Sequence, residues 1–261
     1  MHLTNLIFSS SVWHQGFLPL WTPYILSGFP QIADPQVAVF YPINLLVGIF
    51  YVFSQKIVFW QLVFHYALAG LGIFWLARYL TKNTLIGVFA GIAYMFSGFM
   101  IGHASHIGMQ NTAAWLPIVF LLAIYSLNKR SWRVAVFAGL AAGVMILAGH
   151  FQISVFVFFA LGLYFLFYFL SEWRATKKPP FFQIIIWVII ATMTFLMSAV
   201  QLLPTFELAK QSQRSGISLE IAQTESLNLR SLRSIITPNY QSVSEGEYHG
   251  PWDRTQNNLF L

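Results

Sequence analysis

Residues 181–203 read FFQIIIWVIIATMTFLMSAVQLL, 23 residues without a charged side chain. A helix of that length, rising about 1.5 Å per residue, covers a hydrocarbon core about 30 Å thick. Upstream of it five more apolar runs repeat the pattern, at residues 57–77, 84–102, 112–127, 132–148 and 151–171. The runs at 112–127 and 132–148 are short. They hold Pro117 and the pair Gly139 and Gly143, which membrane helices tolerate where a neighbour satisfies or closely approaches the backbone. Composition agrees, with 57% of residues hydrophobic and 8% charged, against about 25% charged in a soluble domain. A soluble core has no room for that much apolar surface, so lipid is the main solvent. The expected fold is all-α, a polytopic transmembrane helical bundle of about six spans.

The breaks between these runs alternate in charge. Arg78 and Lys82 occupy one, Lys129, Arg130 and Arg133 another, and Arg174, Lys177 and Lys178 a third. GHASHIGMQN (102–111) and the turn at Gly149 and His150 have no Lys or Arg. The positive-inside rule puts the basic breaks in the cytoplasm, and parity then puts residues 1–56 and 204–261 outside. The segment 37–54, VAVFYPINLLVGIFYVFS, is apolar but flanked by no basic residue upstream, and it reads as interfacial or re-entrant on the outer side, interrupted by Pro42. The organisation is therefore an external loop at 1–56, a membrane bundle at 57–203 and an external polar segment from 204 to 261. The formal charge of +6 marks topology and no nucleic-acid surface, because the Lys and Arg lie beside the apolar runs and form no separate basic face. Without Cys, disulfides, thiolate metal sites and Cys nucleophiles are excluded. The opening MHLTNLIFSSSVWHQG lacks the basic and apolar regions of a cleavable signal peptide, so a first span is expected upstream of an internal start or truncation at Met1.

Sorting polar residues by side puts nearly all the candidates for acid, base or phosphate chemistry outside the membrane: Asp34, His103, His106, Gln110, His150, Gln152, Glu207 and Arg214. Polar groups near a membrane are costly unless paired, so a one-sided collection points to a site. Asp34, between Gly28-Phe29-Pro30 and Pro35-Gln36, is the only acidic residue before Glu172. It suits a general base or a divalent metal, and equally an Asx turn that organises its loop. His103 and His106 stand one helical turn apart, but no third ligand accompanies them, so no metal or other cofactor is assigned. His150 and Gln152 sit at an external turn, where they line a cavity or cap helices. Arg214 suits a bidentate phosphate contact or a headgroup contact. His65, beside Gln61 inside a span, reads as a helix-to-helix hydrogen bond before a proton relay, and Trp13, Trp21, Tyr24, Tyr41 and Trp115 fit an interfacial belt that could also stack on sugars.

Four blocks carry a resemblance: GFLPLWTPYILSGFPQIADPQVAVFYPINLL, SGFMIGHASHIGMQNTAAWLPIVFLL, LAGHFQISVFV and QLLPTFELAKQSQRSG. In this order they resemble the YfhO-type bacterial membrane proteins of the GT-C class of lipid-linked glycosyltransferases. The resemblance implies a GT-C-like bundle in the bacterial cell membrane and transfer of a sugar from a polyprenyl-phosphate carrier to a cell-envelope acceptor such as teichoic acid. It implies Asp34 as the catalytic acidic residue of an external first loop. His103, His106 and Arg214 are then expected to contact phosphate or substrate, with His150, Gln152 and Glu207 beside them. Family members begin with a span and a further acidic residue before the PLW block and continue beyond Leu261, so activity is expected of the longer protein. The alternatives are a membrane transporter or lipid flippase, which inverted repeats and charges buried in spans would favour, and a non-catalytic scaffold.

Overall fold

A computed structural model describes residues 2–25 and 27–211, together with two short strands, Ser242–Val243 and Glu247–Tyr248, paired antiparallel. The bundle is all-α: α1 (His2–His14), α2 (Pro42–Phe50), α3 (Gln55–Thr81), α4 (Thr84–Met95), α5 (Gly98–Gly102), α6 (Ile107–Asn128), α7 (Trp132–Leu147), α8 (Phe151–Thr176) and α9 (Phe181–Gln211). Five segments are long and apolar enough to cross a membrane: α3, α4 continued by α5, α6, α8 and α9. The chain has the build of a multi-pass membrane protein. The sixth expected span, α7, is an apolar helix of 16 residues.

Short side-chain caps start these helices. Ser54 Oγ accepts from Ile57 N, Asn83 Oδ1 from Leu85 N and Ile86 N, and Ser131 Oγ from Val134 N, satisfying amides that have no partner within the helix. Lys82 and Lys177 close α3 and α8 in the left-handed conformation, both at φ 58°. A cation suits this position because helix carbonyls converge there, and Lys82 Nζ donates to Tyr79 O at 2.6 Å.

The middle of the bundle is α7, packed between α6 and α9, with Ala135, Ala138, Ala142 and Met145 fully buried. Its glycines set the approach of α9. A Cβ at Gly139 would meet Ile190 O at 2.7 Å, and one at Gly143 would meet Met197 Cβ at 2.5 Å. Because 139 pairs with 190 and 143 with 197, the two helices run parallel. Thr194 Oγ1 reaches Gly139 O at 3.2 Å, the small-residue crossing with a polar bond that membrane helices use. Pro117 likewise lies against α3, where a Cβ on Gly72 would stand 3.2 Å from the ring. By contrast α8 buries Ser154, Val157 and Leu161 and presents Phe156, Phe159 and Phe167 outward, as a lipid-facing helix does.

Several boundaries differ from expectation. The run at 84–102 breaks between α4 and α5, where Ser97 Oγ caps the second piece by accepting from Met100 N. Helix α6 begins at Ile107, ahead of Thr112, and α9 continues through Pro204 to Gln211. Pro42 does not interrupt an apolar segment. It opens α2 at the first helical turn, where its missing N–H costs nothing. With nine residues, α2 is too short to span, and it shows Leu46, Ile49 and Phe50 outward while burying Asn44 and Gly48. Residues 1–56, expected as a loop, also contain α1, whose Trp13 ring packs on Gly48.

The connections put two kinds of chemistry at opposite ends. Arg78, Lys82, Lys129, Arg130, Arg133, Arg174, Lys177 and Lys178 stand at the end where α3, α6 and α8 finish, which leaves only Lys56 and Lys210 elsewhere among the described residues. There Arg130 meets Glu172 at 2.5 Å, and Gln183 Nε2 donates to the other Glu172 oxygen, joining the α6–α7 connection to the α8–α9 one. Asp34, His103, His106 and His150 lie at the far end.

Candidate functional site

The far end is assembled from three turns. In the first, the proline after Asp34 excludes helical backbone at that residue, and Asp34 adopts φ −84°, ψ 110°. Its Oδ1 then accepts from Gln36 N at 2.8 Å, an Asx turn that starts the 3₁₀ turn Pro35–Val37. In the second turn, between α7 and α8, Gly149 takes φ +105° and lies so close to the first that a Cβ would stand 2.8 Å from Pro35 O. Only glycine fits both the angle and the contact. His150 follows, with its backbone N–H donated to Thr112 Oγ1 at 3.2 Å and its Nδ1 accepting from Ile153 N at 3.4 Å. The third turn joins α5 to α6 and carries His103 and His106, whose rings are 5.7 Å apart.

Where these turns meet they enclose a cavity of about 250 Å³, walled by Asp34 and Gln36 on one side and Ser105, His106 and His150 on the other, with Asn5 of α1 at its edge. Burial raises the Asp34 carboxyl from its ordinary pKa, partly offset by the Gln36 N–H, which favours the ionised form. Burial also pushes the His150 imidazole down, helped by the positive charge His103 and His106 would carry. Since its Nδ1 accepts a hydrogen bond, neutral His150 holds its proton on Nε2 and is a donor there. His103 is almost wholly buried, donates Nδ1–H to Phe99 O at 2.9 Å and stacks on the Phe99 ring at 4.6 Å. It backs His106 rather than lining the cavity.

Comparison with family models, curated proteins and solved structures gives no match.

The remaining expected site residues fall elsewhere. Gln152 is exposed on the first turn of α8, two residues past His150, and does not line the cavity. Glu207 is exposed on α9 beyond Pro204, and Arg214 lies outside the described residues. Gln110 is buried against Tyr66 and Met100 O. Among the described residues no group of three or more His, Asp or Glu is placed to hold a metal ion.

The sequence reading passed over the groups that hold the Asp34 segment. Gln31 Nε2, fully buried, donates to Asn5 O at 3.1 Å and Ser9 Oγ at 3.0 Å of α1. Gln201 and Thr205 of α9 reach the Ile32 and Ala33 carbonyls. Tyr41, buried beside α2, closes the segment by pairing with His65 Nε2 at 2.6 Å and accepting from Trp115 Nε1 at 2.8 Å. Because His65 Nδ1 faces the Gln61 carbonyl at 2.6 Å, it must donate there. The Nε2 therefore accepts and Tyr41 O–H donates to it, so both His65 nitrogens and the Tyr41 hydroxyl are satisfied in one arrangement. Gln61 continues the network by donating to Asn44 Oδ1 at 2.7 Å. His65 thus ties α3 to the loop, and Trp115 and Tyr41 serve as more than an interfacial belt.

Proposed function

We propose that this chain is part of a YfhO-type, GT-C-class membrane glycosyltransferase that moves a sugar from a polyprenyl-phosphate carrier to a cell-envelope acceptor such as teichoic acid, with the cavity at Asp34 as its reaction site. The observation that carries the reading is the convergence of Asp34, His106 and His150, from three separate turns, on one cavity at the end of the bundle opposite the basic breaks.

The chemistry follows from the donor set. Asp34 Oδ1 is engaged by Gln36 N–H, and Oδ2 has no hydrogen-bond partner among the described residues. Burial makes this carboxylate a stronger base than a solvated one, which suits deprotonation of a hydroxyl near neutral pH. The acceptor O–H gives its proton to Asp34 as its oxygen bonds to the anomeric carbon. The bond from that carbon to the phosphate oxygen breaks, and the electron pair leaves with the polyprenyl phosphate. His106 and His150 across the cavity donate hydrogen bonds to the charge that develops on the phosphate. An apolar cleft of about 380 Å³ between α8 and α9 starts at Phe151, next to His150, and is lined by Phe158, Leu202 and Phe206. It offers the carrier chain a path beside its headgroup.

Asp34→Asn tests the reading. Membranes carrying the protein are given a radiolabelled polyprenyl-phosphate sugar, and transferred label is counted. Removing a general base is expected to lower the rate about a hundredfold or more. Unchanged transfer would mean that Asp34 is not the base.

A further inference from the structure

The segment bearing Asp34 has no long helix or sheet to hold it. Its two turns, Gln31–Ala33 and Pro35–Val37, are closed by bonds between near neighbours, with one longer backbone bond from Ile32 N–H to Leu20 O at 3.5 Å, so the position of the carboxylate is set largely from outside. The side-chain hydrogen bonds to the residues just before it come from α9. Gln201 Nε2 donates to Ile32 O at 2.9 Å and Thr205 Oγ1 to Ala33 O at 2.9 Å, which are the two carbonyls immediately before Asp34. Gln201 Nε2 also donates to Thr205 Oγ1 at 3.1 Å, so the two side chains brace each other.

Two features mark this pair as more than helix packing. Gln201 is 1% exposed, and its Oε1 has no hydrogen-bond partner among the described residues. A half-paired amide is a costly thing to bury, and a leucine would suit the helix better. Its Nε2 therefore accounts for its presence. Between the two residues stands Pro204, which has no N–H for the Val200 carbonyl, and the Gln201 and Thr205 side chains add bonds to this turn. The Thr205 hydroxyl has one proton and two acceptors, Ala33 O and its own helix's Gln201 O at 2.8 Å. The second acceptor is open to a threonine in many helices. The first exists only because α9 meets the Asp34 segment here.

We propose that Gln201 and Thr205 are positioning residues that hold Asp34 against the cavity by fixing the Ile32 and Ala33 carbonyls. The inference rests on the reading of Asp34 as the reactive group, but its test does not need sugar transfer. In detergent micelles, carbodiimide-driven coupling of an amine to Asp34 is followed by peptide mass spectrometry across pH. The coupling consumes the protonated carboxyl, so its midpoint follows the proton on Asp34. Thr205→Val, which keeps the volume and loses the hydroxyl, and Gln201→Leu are each expected to let water reach the carboxylate and lower the midpoint by about half a pH unit or more. Thr205→Ser, which keeps the hydroxyl, is expected to match the wild type. Circular dichroism on the same samples reports whether each variant is folded. Wild-type midpoints in folded Thr205→Val and Gln201→Leu, or a Thr205→Ser midpoint that follows Thr205→Val, would overturn the proposal. If the midpoints move as expected while Asp34→Asn leaves transfer unchanged, the clamp stands and the catalytic reading falls.

Discussion

At Asp34 one side chain serves two demands that pull against each other. Its Oδ1 organises the turn by accepting from Gln36 N–H, while the same turn carries the carboxyl into a cavity where burial disfavours its charge. The folded chain therefore holds the Asp34 proton to higher pH than the unfolded chain does. The corresponding stability is complete below the unfolded carboxylate pKa, about 4, and is lost as pH rises through the higher folded value. Asp34→Asn keeps an oxygen for Gln36 N–H and cannot ionise. Thermal unfolding in detergent is thus expected to give this variant a higher Tm than the wild type at pH 7 and an equal one below about pH 4. A variant that melts below the wild type at pH 7 would mean that the ionised carboxylate is stabilised where it stands. Loss of transfer together with a gain in Tm is the pattern of a group kept for chemistry at a cost in stability. His150 differs in sign, since its lowered pKa keeps the ring neutral and its Nε2–H available to the cavity.

At the scale of the helices, close packing rests on a few glycines, and their surroundings separate those that carry a crossing from those that do not. Gly139→Ala would drive a methyl against the Ile190 carbonyl and Met193 Cβ, at 2.7 and 2.6 Å. The backbone of α9 cannot yield as a side-chain tip would, so a loss of about 1–3 kcal/mol is expected. In Gly162→Ala the new methyl meets nothing within 4 Å, and removing a helical glycine stabilises by up to about 1 kcal/mol. Unfolding of the two variants in detergent is thus expected to shift in opposite directions, and a neutral Gly139→Ala would show that α7 and α9 are not tightly docked. Pairs of small residues four apart and runs of bilayer length are local patterns, which is why the spans could be read from sequence. Their ends could not, because caps decide them: Ser97 splits a run that hydropathy joins, and α9 passes Pro204 with help from Thr205. The same division holds for the site. Asp34, His106 and His150 stood out as polar residues at breaks of one parity. Gln201 and Thr205 act on partners 169 and 172 residues away, and no local pattern announces such a pair. Gln152 went the other way, since proximity in sequence to His150 did not survive the turn of the helix.

For the whole molecule the decisive property is that its two ends differ. Eight of the ten described Lys and Arg residues, all but Lys56 and Lys210, stand where α3, α6 and α8 finish, and the cavity lies at the opposite end. Short connections carrying Lys and Arg are retained in the cytoplasm, so the cavity is expected to face outward, where envelope acceptors are found. Because the chain has no cysteine, a single introduced thiol reports one position without background. Ala104→Cys, at the exposed turn between α5 and α6, and Thr176→Cys, exposed at the end of α8, place the label at the two ends. A membrane-impermeant maleimide added to intact cells is expected to modify the first and spare the second, and permeabilised cells to show both modified. The reverse pattern would put the cavity in the cytoplasm, on the same side as soluble nucleotide sugars and away from the envelope polymer. Transfer to a teichoic-acid-like acceptor would then be impossible at this site, whatever Asp34 does to a hydroxyl. The orientation of the bundle is therefore a condition on the chemistry, and it can be tested before any substrate is in hand.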